Sequence, residues 1–263
     1  MPTQLSSSTE LLRTSFDNGI VSVTINDPRR HNVMTRAGWG SLVEIFDEIS
    51  TLPDVRIVRL QGAGDKAFIA GADISEFDNE FSGETGVAYD DATVAGLQAI
   101  SNCPFPTIAA IRGHCIGGGL GVALACDIRI CSQTSELGIP AGRLGLSYPS
   151  QAVHRLVDIV GPATAKYIFF SAQRYTAGES LQMGLVNKVV SDEDFEDVIY
   201  QYCDSVCHNA PLSLRAAKYM VDEGAEGNQD EMRRRAIECL TSDDYAEGKQ
   251  AFMEKRKPVF KGR

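Results

Sequence analysis

The chain has 263 residues, of which 43% are hydrophobic and 23% are charged, a composition typical of a soluble globular protein and not of a disordered one. Thirty-five acidic residues against 25 basic residues give a formal charge of −10. The field of such a chain repels phosphate polymers, so we expect no nucleic-acid partner, although one small anion can still bind a local basic patch.

The first two thirds of the chain predict alternating strands and helices. Asn18-Gly19 between two apolar runs predicts a β-hairpin, and Thr35 is suited to cap a helix. Residues 78–90 are acidic and rich in turn formers, so we expect a mobile loop there. The predicted order is strands at 11–16 and 20–25, a helix at 36–50, a strand at 55–60, a helix ending at 101, a strand at 107–111, a helix opened by the triple glycine at 117–119, and a strand at 127–131.

The order of strand, glycine turn and helix predicts an α/β fold with right-handed crossovers. After Gly161-Pro162 the chain becomes mostly helical, with a last extended piece at 185–190 and helices from 192 onwards. We therefore predict a core over residues 1–191 and a helical C-terminal region over 192–263, within one functional domain.

Membrane and metal signals are weak in this sequence. The most apolar stretch, residues 115–126, is much shorter than the roughly 20 residues that span a bilayer, and the N-terminus does not have the pattern of a secretory signal. The seven cysteines are scattered without a Cys-x-x-Cys pair, which favours reduced thiols and a cytoplasmic location. Cys203, Cys207 and His208 have no second ligand pair at metal-site spacing, so we interpret them as one helix face and predict no metal.

Two glycine-rich segments, residues 66–77 and 111–121, carry the chemistry. Each places bare backbone beside a helix start, where unpaired N–H groups attract negative charge. Two such groups from separate segments can converge on one carbonyl oxygen and form an oxyanion hole. Either segment alone is also explained as a tight turn, and the triple glycine does not match the dinucleotide-binding pattern of glycines.

Together with residues 125–130, 139–146, 183–190 and 251–263, these segments resemble the crotonase family, that is, the enoyl-CoA hydratases and isomerases. The resemblance runs from about residue 11 to residue 263. It implies an α/β spiral of ββα turns with a helical C-terminal region that assembles a homotrimer, often stacked as a hexamer. It also implies an acyl-CoA substrate, whose CoA is part of the substrate, so that no separate cofactor is expected.

The resemblance also implies roles for individual residues. The N–H groups of Ala72 and Gly118 would hold the oxygen of a thioester enolate. Asp73 belongs to the same CoA-binding segment and is suited to cap the next helix. The remaining expected contacts are Ala70, Ala72 and Ile74 at the nucleotide end of CoA, Arg29 or Arg30 and the Lys255–Lys261 tail at its phosphates, and Leu120, Ile139, Leu144, Leu146 and Tyr148 along an apolar acyl pocket.

Both catalytic carboxylates of the hydratases are missing from this chain. The first follows the triple glycine by two residues, where this sequence has Gly121, and the second follows a proline, where it has Ala141. The second position also carries the glutamate of many double-bond isomerases. Glycine and alanine cannot transfer a proton, which puts ordinary two-glutamate hydration in doubt.

Tyr148 is the first candidate to replace them, because malonyl-type CoA decarboxylases of this family have a tyrosine at the matching position. Their bacterial members have a histidine where this chain has Ala72, and the alternative that Tyr148 only lines the pocket, with its hydroxyl bonded locally, is slightly favoured. Weaker candidates for polar roles are His114, His154, Arg143, Glu76, Asp78 and Glu80. Three functions stay open: a lyase or isomerase of acyl-CoA thioesters, a malonyl-type decarboxylase that uses Tyr148, and a non-catalytic acyl-CoA-binding protein.

Overall fold

The computed structural model describes residues 3–73, 76 and 84–263, with only the backbone for 84–87. Within these residues, ten strands form two sheets. The strands are β1 (Leu12–Asp17), β2 (Ile20–Ile25), β3 (Ile57–Gly62), β4 (Ala67–Ile69), β5 (Thr107–Ile111), β6 (His114–Ile116), β7 (Ile128–Ser132), β8 (Glu136–Gly138), β9 (Arg174–Thr176) and β10 (Lys188–Val190).

The helices in the described residues number nine, besides short 3₁₀ turns at Pro28–Arg30 and Ala141–Arg143. One of them, α4, is broken at Gly161, where φ is 77°. The helices are α1 (Arg36–Thr51), α2 (Glu84–Ser101), α3 (Gly118–Ala125), α4 (Ser150–Ser171), α5 (Ala177–Gln182), α6 (Phe195–Cys207), α7 (Pro211–Glu223), α8 (Gln229–Leu240) and α9 (Asp243–Glu254).

The larger sheet has the strand order β1-β2-β3-β5-β7-β10. Only β1 and β2 pair antiparallel, and the other neighbours run parallel. The predicted hairpin is confirmed, since Asn18 and Gly19 have φ of 48° and 83°, the left-handed values that a two-residue hairpin turn requires. Every residue of β5 is buried, as expected for a parallel strand that is covered on both faces.

The smaller sheet has the order β4-β6-β8-β9, with the first three strands parallel. From β3 to β8, successive strands alternate between the sheets, and a helix follows each pair: β3, β4 and α2, then β5, β6 and α3, then β7, β8 and α4. This is the expected spiral of ββα turns. The strands of the smaller sheet escape the sequence pattern because three residues are too few to show an alternation.

The expectation of a mobile loop at 78–90 is wrong for residues 84–90, which form the start of α2. Tertiary contacts outweigh the turn-forming composition, because Tyr89 is buried and its hydroxyl accepts a hydrogen bond from Trp39 Nε1 on α1 at 3.1 Å. Residues 78–83 lie outside the described part of the chain. The predicted cap of α1 is confirmed, since the Thr35 hydroxyl accepts from the Gly38 N–H at 3.0 Å.

The C-terminal helices are tied to the core by a half-buried ion pair. Lys218 on α7 donates to Asp127 at 2.8 Å, and Asp127 also accepts from the backbone N–H of Thr107 at the start of β5. Asp127 therefore braces the start of β5. The basic tail folds back on α9, where the buried Asp244 accepts from the N–H groups of Lys261 and Gly262. The division of the chain at residue 191 stays a prediction.

None of the helices in the described ranges is long and apolar enough to cross a lipid bilayer. Cys203 is buried on α6, Cys207 is half-buried, and His208 follows the helix in an exposed position. The interpretation as one face of an amphipathic helix is thus confirmed for Cys203 and Cys207, whereas His208 lies beyond the end of the helix. Burial raises the pKa of Cys203 to about 12 and that of Cys207 to about 11, so both stay thiols near neutral pH.

Candidate active site

The two glycine-rich segments meet at one edge of the smaller sheet. Because β4 and β6 are parallel neighbours, the residues that follow them lie side by side. A Cβ atom on Gly118 would stand 4.0 Å from the Ala72 nitrogen, and one on Gly117 would stand 3.9 Å from the Cα of Gly71. Two peptides that are far apart in the sequence, Gly71–Ala72 and Gly117–Gly118, are therefore adjacent in the structure.

Neither the Ala72 N–H nor the Gly118 N–H has an acceptor among the described residues. The Gly118 N–H belongs to the first residue of α3, where a helix leaves its N–H groups unpaired. At Ala72, the neighbouring strand-like bonds use the Gly71 carbonyl and the Asp73 N–H, which leaves the N–H between them available. The fold therefore brings the two predicted donors together, and both N–H groups are available for a ligand oxygen.

Backbone conformation explains the glycines that precede the two donors. Gly71 has φ of 124° and Gly117 has φ of 53° with ψ of −120°, values that L side chains rarely adopt. Gly119 is needed for close packing rather than for its backbone conformation, because a Cβ atom there would overlap the carbonyl oxygen of Ile69. The start of α3 can thus lie directly against the end of β4.

The carbonyl of each donor peptide is held in place by hydrogen bonds. The Gly71 carbonyl accepts from the Met34 N–H at 2.9 Å. The Gly117 carbonyl accepts from the Gly121 N–H at 3.1 Å and from the Tyr148 hydroxyl at 2.9 Å. Because a peptide unit is planar, fixing its C=O also fixes the direction of its N–H.

Gly121 leaves little room for a Cβ atom beside Tyr148. A Cβ atom at this position would lie 3.0 Å from the Tyr148 hydroxyl oxygen and 3.5 Å from Leu97 Cδ1. The Tyr148 hydroxyl therefore lies beside the position where the family resemblance implies the first glutamate of the hydratases. Ala141 opens a short 3₁₀ turn and packs on the core, so neither position presents a carboxylate.

The phenol of Tyr148 is held between polar and aromatic neighbours. Its ring makes an edge contact with Phe169, with the centroids 5.6 Å apart. Burial of the phenol raises the pKa of Tyr148 well above its usual range, so the hydroxyl stays protonated in neutral solution.

The predicted CoA-binding residues lie around the Ala72 segment. Arg29 is exposed on the 3₁₀ turn before α1. Arg30 forms ion pairs with Asp27 at 2.7 Å and with the buried Asp73, which reduces the positive charge it can offer to a phosphate. Ala70 is half-buried and donates its N–H to the His31 carbonyl. Ile74 lies outside the described residues.

The predicted acyl-pocket residues separate into two groups. Leu120 and Ile139 are completely buried in the core of the single chain, whereas Leu144 is 55% exposed beside the 3₁₀ turn and Leu146 is also exposed. Lys255 is exposed at the end of α9, with φ of 54°. Their contact with an acyl-CoA stays a prediction.

The weaker candidates have other partners. His114 Nδ1 lies 3.2 Å from the carboxylate of Glu136, and the His114 side chain as a whole is half exposed. Glu76 accepts from the N–H of Arg36 at the start of α1. Arg143 is exposed, and Asp78 and Glu80 fall outside the described residues.

The sequence gives no signal for a cleft of about 650 Å³ next to this site. Its walls come from five helices that are distant in sequence, so no motif marks it. Gly121 and Leu97 form part of its floor, and His154 lies on its wall. Charged residues of the C-terminal helices also line it: Arg215, Lys218, Asp222, Glu223 and Arg235.

Known proteins of one family are similar to this chain over nearly its whole length. A family model described as enoyl-CoA hydratase/isomerase matches residues 15–263. The short-chain-enoyl-CoA hydratase of Clostridium acetobutylicum is 33% identical over an alignment of 244 residues, and the aligned region covers 90% of this chain and 92% of that protein. The carnitinyl-CoA dehydratase of Salmonella paratyphi A is 30% identical over an alignment of 263 residues, and the aligned region covers 97% of this chain and 99% of the relative.

The structural comparison agrees. The crystal structure of an enoyl-CoA hydratase/carnithine racemase from Magnetospirillum magneticum superimposes with a TM-score of 0.94 at 33% identity, covering 99% of this chain and 97% of that one. The α/β architecture expected from the sequence is thereby confirmed as that of the crotonase structures. The chain belongs to the enoyl-CoA hydratase/isomerase family.

Proposed function

We propose that this protein binds an acyl-CoA, places the thioester oxygen between the N–H groups of Ala72 and Gly118, and stabilises the enolate that forms there. The observation that carries the proposal is the adjacency of two amides from separate segments, neither with an acceptor among the described residues. One donor of this kind contributes about 2.7–4 kcal/mol in other oxyanion holes, so a pair is large enough to define a catalytic centre.

The proposed reaction is a lyase or isomerase step on the acyl group. The two relatives named above are a hydratase and a dehydratase, which supports reaction at the α and β carbons. In this chain, positions 121 and 141 supply no proton carrier. The proton must therefore come from another group or from the substrate's own chemistry.

Decarboxylation of a malonyl-type thioester is the second candidate, favoured by the absence of carboxylates at Gly121 and Ala141. In this reaction the bond between Cα and the carboxylate carbon breaks, and carbon dioxide leaves. The electron pair forms the enolate, whose oxygen the two amides hold, and Cα then takes a proton from water. No enzyme base is needed for the first step.

A panel of four thioesters separates the possibilities. Loss of the enoyl absorbance of crotonyl-CoA supports water addition, and release of carbon dioxide from methylmalonyl-CoA or ethylmalonyl-CoA, measured after its hydration to bicarbonate, supports decarboxylation. Binding of butyryl-CoA without turnover of the others points to a non-catalytic homologue. If none of these thioesters binds, the proposal is wrong.

We propose further that the protein acts in the cytoplasm as a homotrimer or a hexamer. Large apolar side chains near the C-terminus support assembly, since Phe252 is 85% exposed and Met253 is 79% exposed in the single chain. Light scattering after gel filtration measures the mass of the particle and tests the assembly.

Hydratase activity should appear when glutamates are introduced at the two positions that lack a catalytic carboxylate and the Tyr148 hydroxyl is removed to make space for the first. We expect Gly121→Glu with Ala141→Glu and Tyr148→Phe to hydrate crotonyl-CoA measurably. General acid–base groups raise a reaction rate by about 10²–10⁴-fold. This gain exceeds the roughly tenfold fall in rate expected when the hydrogen bond of the Tyr148 hydroxyl is lost. The rate is followed as the loss of enoyl absorbance.

The matched control keeps Tyr148 and changes only positions 121 and 141. A side chain at 121 then meets the tyrosine hydroxyl, so this double variant should be slower than the triple variant. Equal rates for the two would show that the tyrosine does not obstruct position 121.

A further inference from the structure

The hydroxyl of Tyr148 makes two contacts that matter for the oxyanion hole. It donates to the Gly117 carbonyl at 2.9 Å, and it fills the space beside Gly121 that a side chain would need. The Gly117 carbonyl belongs to the same peptide unit as the Gly118 N–H. The Tyr148 side chain thus contacts the carbonyl of the peptide whose N–H, on the opposite side, is the proposed oxyanion donor.

We infer that Tyr148 is a positioning residue, which orients and strengthens the Gly118 amide through the Gly117 carbonyl and transfers no proton itself. The inference rests on the proposed function, because it concerns the same pair of amides. It assigns to the tyrosine a part in the hole, in place of the role of proton donor or substrate-orienting group considered from the sequence.

The conformation of Gly117 explains why the peptide needs such support. Its φ of 53° and ψ of −120° lie where only glycine is readily accommodated, and glycine by itself has many alternative conformations. Two hydrogen bonds to the carbonyl, from Gly121 and Tyr148, select one orientation of the peptide plane. Accepting these bonds also polarises the peptide, which makes its N–H a stronger donor.

The geometry disfavours proton transfer by Tyr148. A phenol has one proton, and here that proton is directed to the Gly117 carbonyl. Delivering it to a substrate carbon would break the bond that holds the peptide and leave a buried phenolate, which is costly. The other donor peptide has a matching support from the backbone, since Met34 N–H holds the Gly71 carbonyl. Only the Gly117 support comes from a side chain that mutation can remove.

The test measures how strongly the hole polarises a thioester. Butyryl-CoA labelled with ¹³C at the thioester carbonyl is bound to the protein, and its carbonyl stretch is read by infrared difference spectroscopy. The wild-type protein should shift the stretch to lower frequency than in water. Tyr148→Phe, which keeps the ring and its contact with Phe169, should give less than half of that shift, with the dissociation constant changed less than threefold. With a substrate that is turned over, kcat should fall about tenfold at nearly constant KM.

Two further variants make the result decisive. Tyr175→Phe removes another tyrosine hydroxyl, which contacts Ser171 away from the hole, and should keep the full shift. Gly121→Ala keeps Tyr148 but presses on its hydroxyl and should reduce the shift, which tests the inference even if Tyr148→Phe does not fold. A full shift in both Tyr148→Phe and Gly121→Ala overturns the positioning role. A wild-type protein that binds butyryl-CoA with no shift overturns the proposed function instead.

Discussion

Gly118→Pro should lower turnover by about 10²–10³-fold while the protein stays folded. The substitution removes one N–H, the proposed oxyanion donor, from the first residue of α3. Proline is well tolerated at this helix position because the N–H there has no intrahelical partner. The preceding residue, Gly117, has no Cβ to collide with the proline ring. Steady-state kinetics with the thioester that the wild-type protein converts fastest measures the loss.

The matched control for this prediction is Gly118→Ala. Its added Cβ would lie 3.2 Å from Trp39 Cζ2, the same close contact that proline introduces, but its N–H remains. We expect the alanine variant to keep at least a tenth of the wild-type turnover. If proline and alanine reduce turnover equally, the loss comes from crowding against Trp39 and the Gly118 amide is not a donor. Thermal unfolding of both variants checks that each is folded.

Local signals in the sequence predict the elements of the larger sheet well. Asn18-Gly19 selects the turn of the hairpin, and the apolar run at Thr107–Ile111 corresponds to β5 with the same bounds. Such features depend on residues that are neighbours along the chain. Residues 84–90 show the limit, because their helix is stabilised by the burial of Tyr89 against α1, a contact that no local pattern contains.

The site itself is only partly readable from the sequence. The triple glycine predicts a helix start with free N–H groups, and the family resemblance pairs it with Ala72. The hydrogen bond from Tyr148 to the Gly117 carbonyl joins residues 31 positions apart. Tyr148 itself lies in a segment without regular structure, which no periodic pattern in the sequence marks. The sequence shows that positions 121 and 141 carry no carboxylate. Only the structure shows that the hydroxyl of Tyr148 lies beside position 121.

Gly119→Ala should damage both stability and activity, because this glycine sets the distance between the two donor segments. A Cβ at Gly119 would overlap the Ile69 carbonyl oxygen and lie 2.8 Å from Ile69 Cβ. The contact is with backbone, which cannot rotate away, so α3 and β4 must move apart. Overpacking of this kind costs about 3 kcal/mol or more, which corresponds to a fall in Tm of about 10 °C for a chain of this size.

The loss of activity in Gly119→Ala should exceed what the lower stability explains. At a temperature where the variant is fully folded, the displaced Gly118 amide should still fail to reach the oxygen that Ala72 holds, so the ¹³C carbonyl shift of bound butyryl-CoA should be reduced. Gly40→Ala is the matched control, since Gly40 is exposed inside α1 with nothing within 4 Å of an added Cβ. It should raise stability by about 1 kcal/mol and leave the shift unchanged. A Gly119→Ala protein that keeps the wild-type Tm would show that α3 and β4 are not packed as closely as the structure has them. A destabilised variant with a full carbonyl shift would show instead that the donor pair does not depend on this contact.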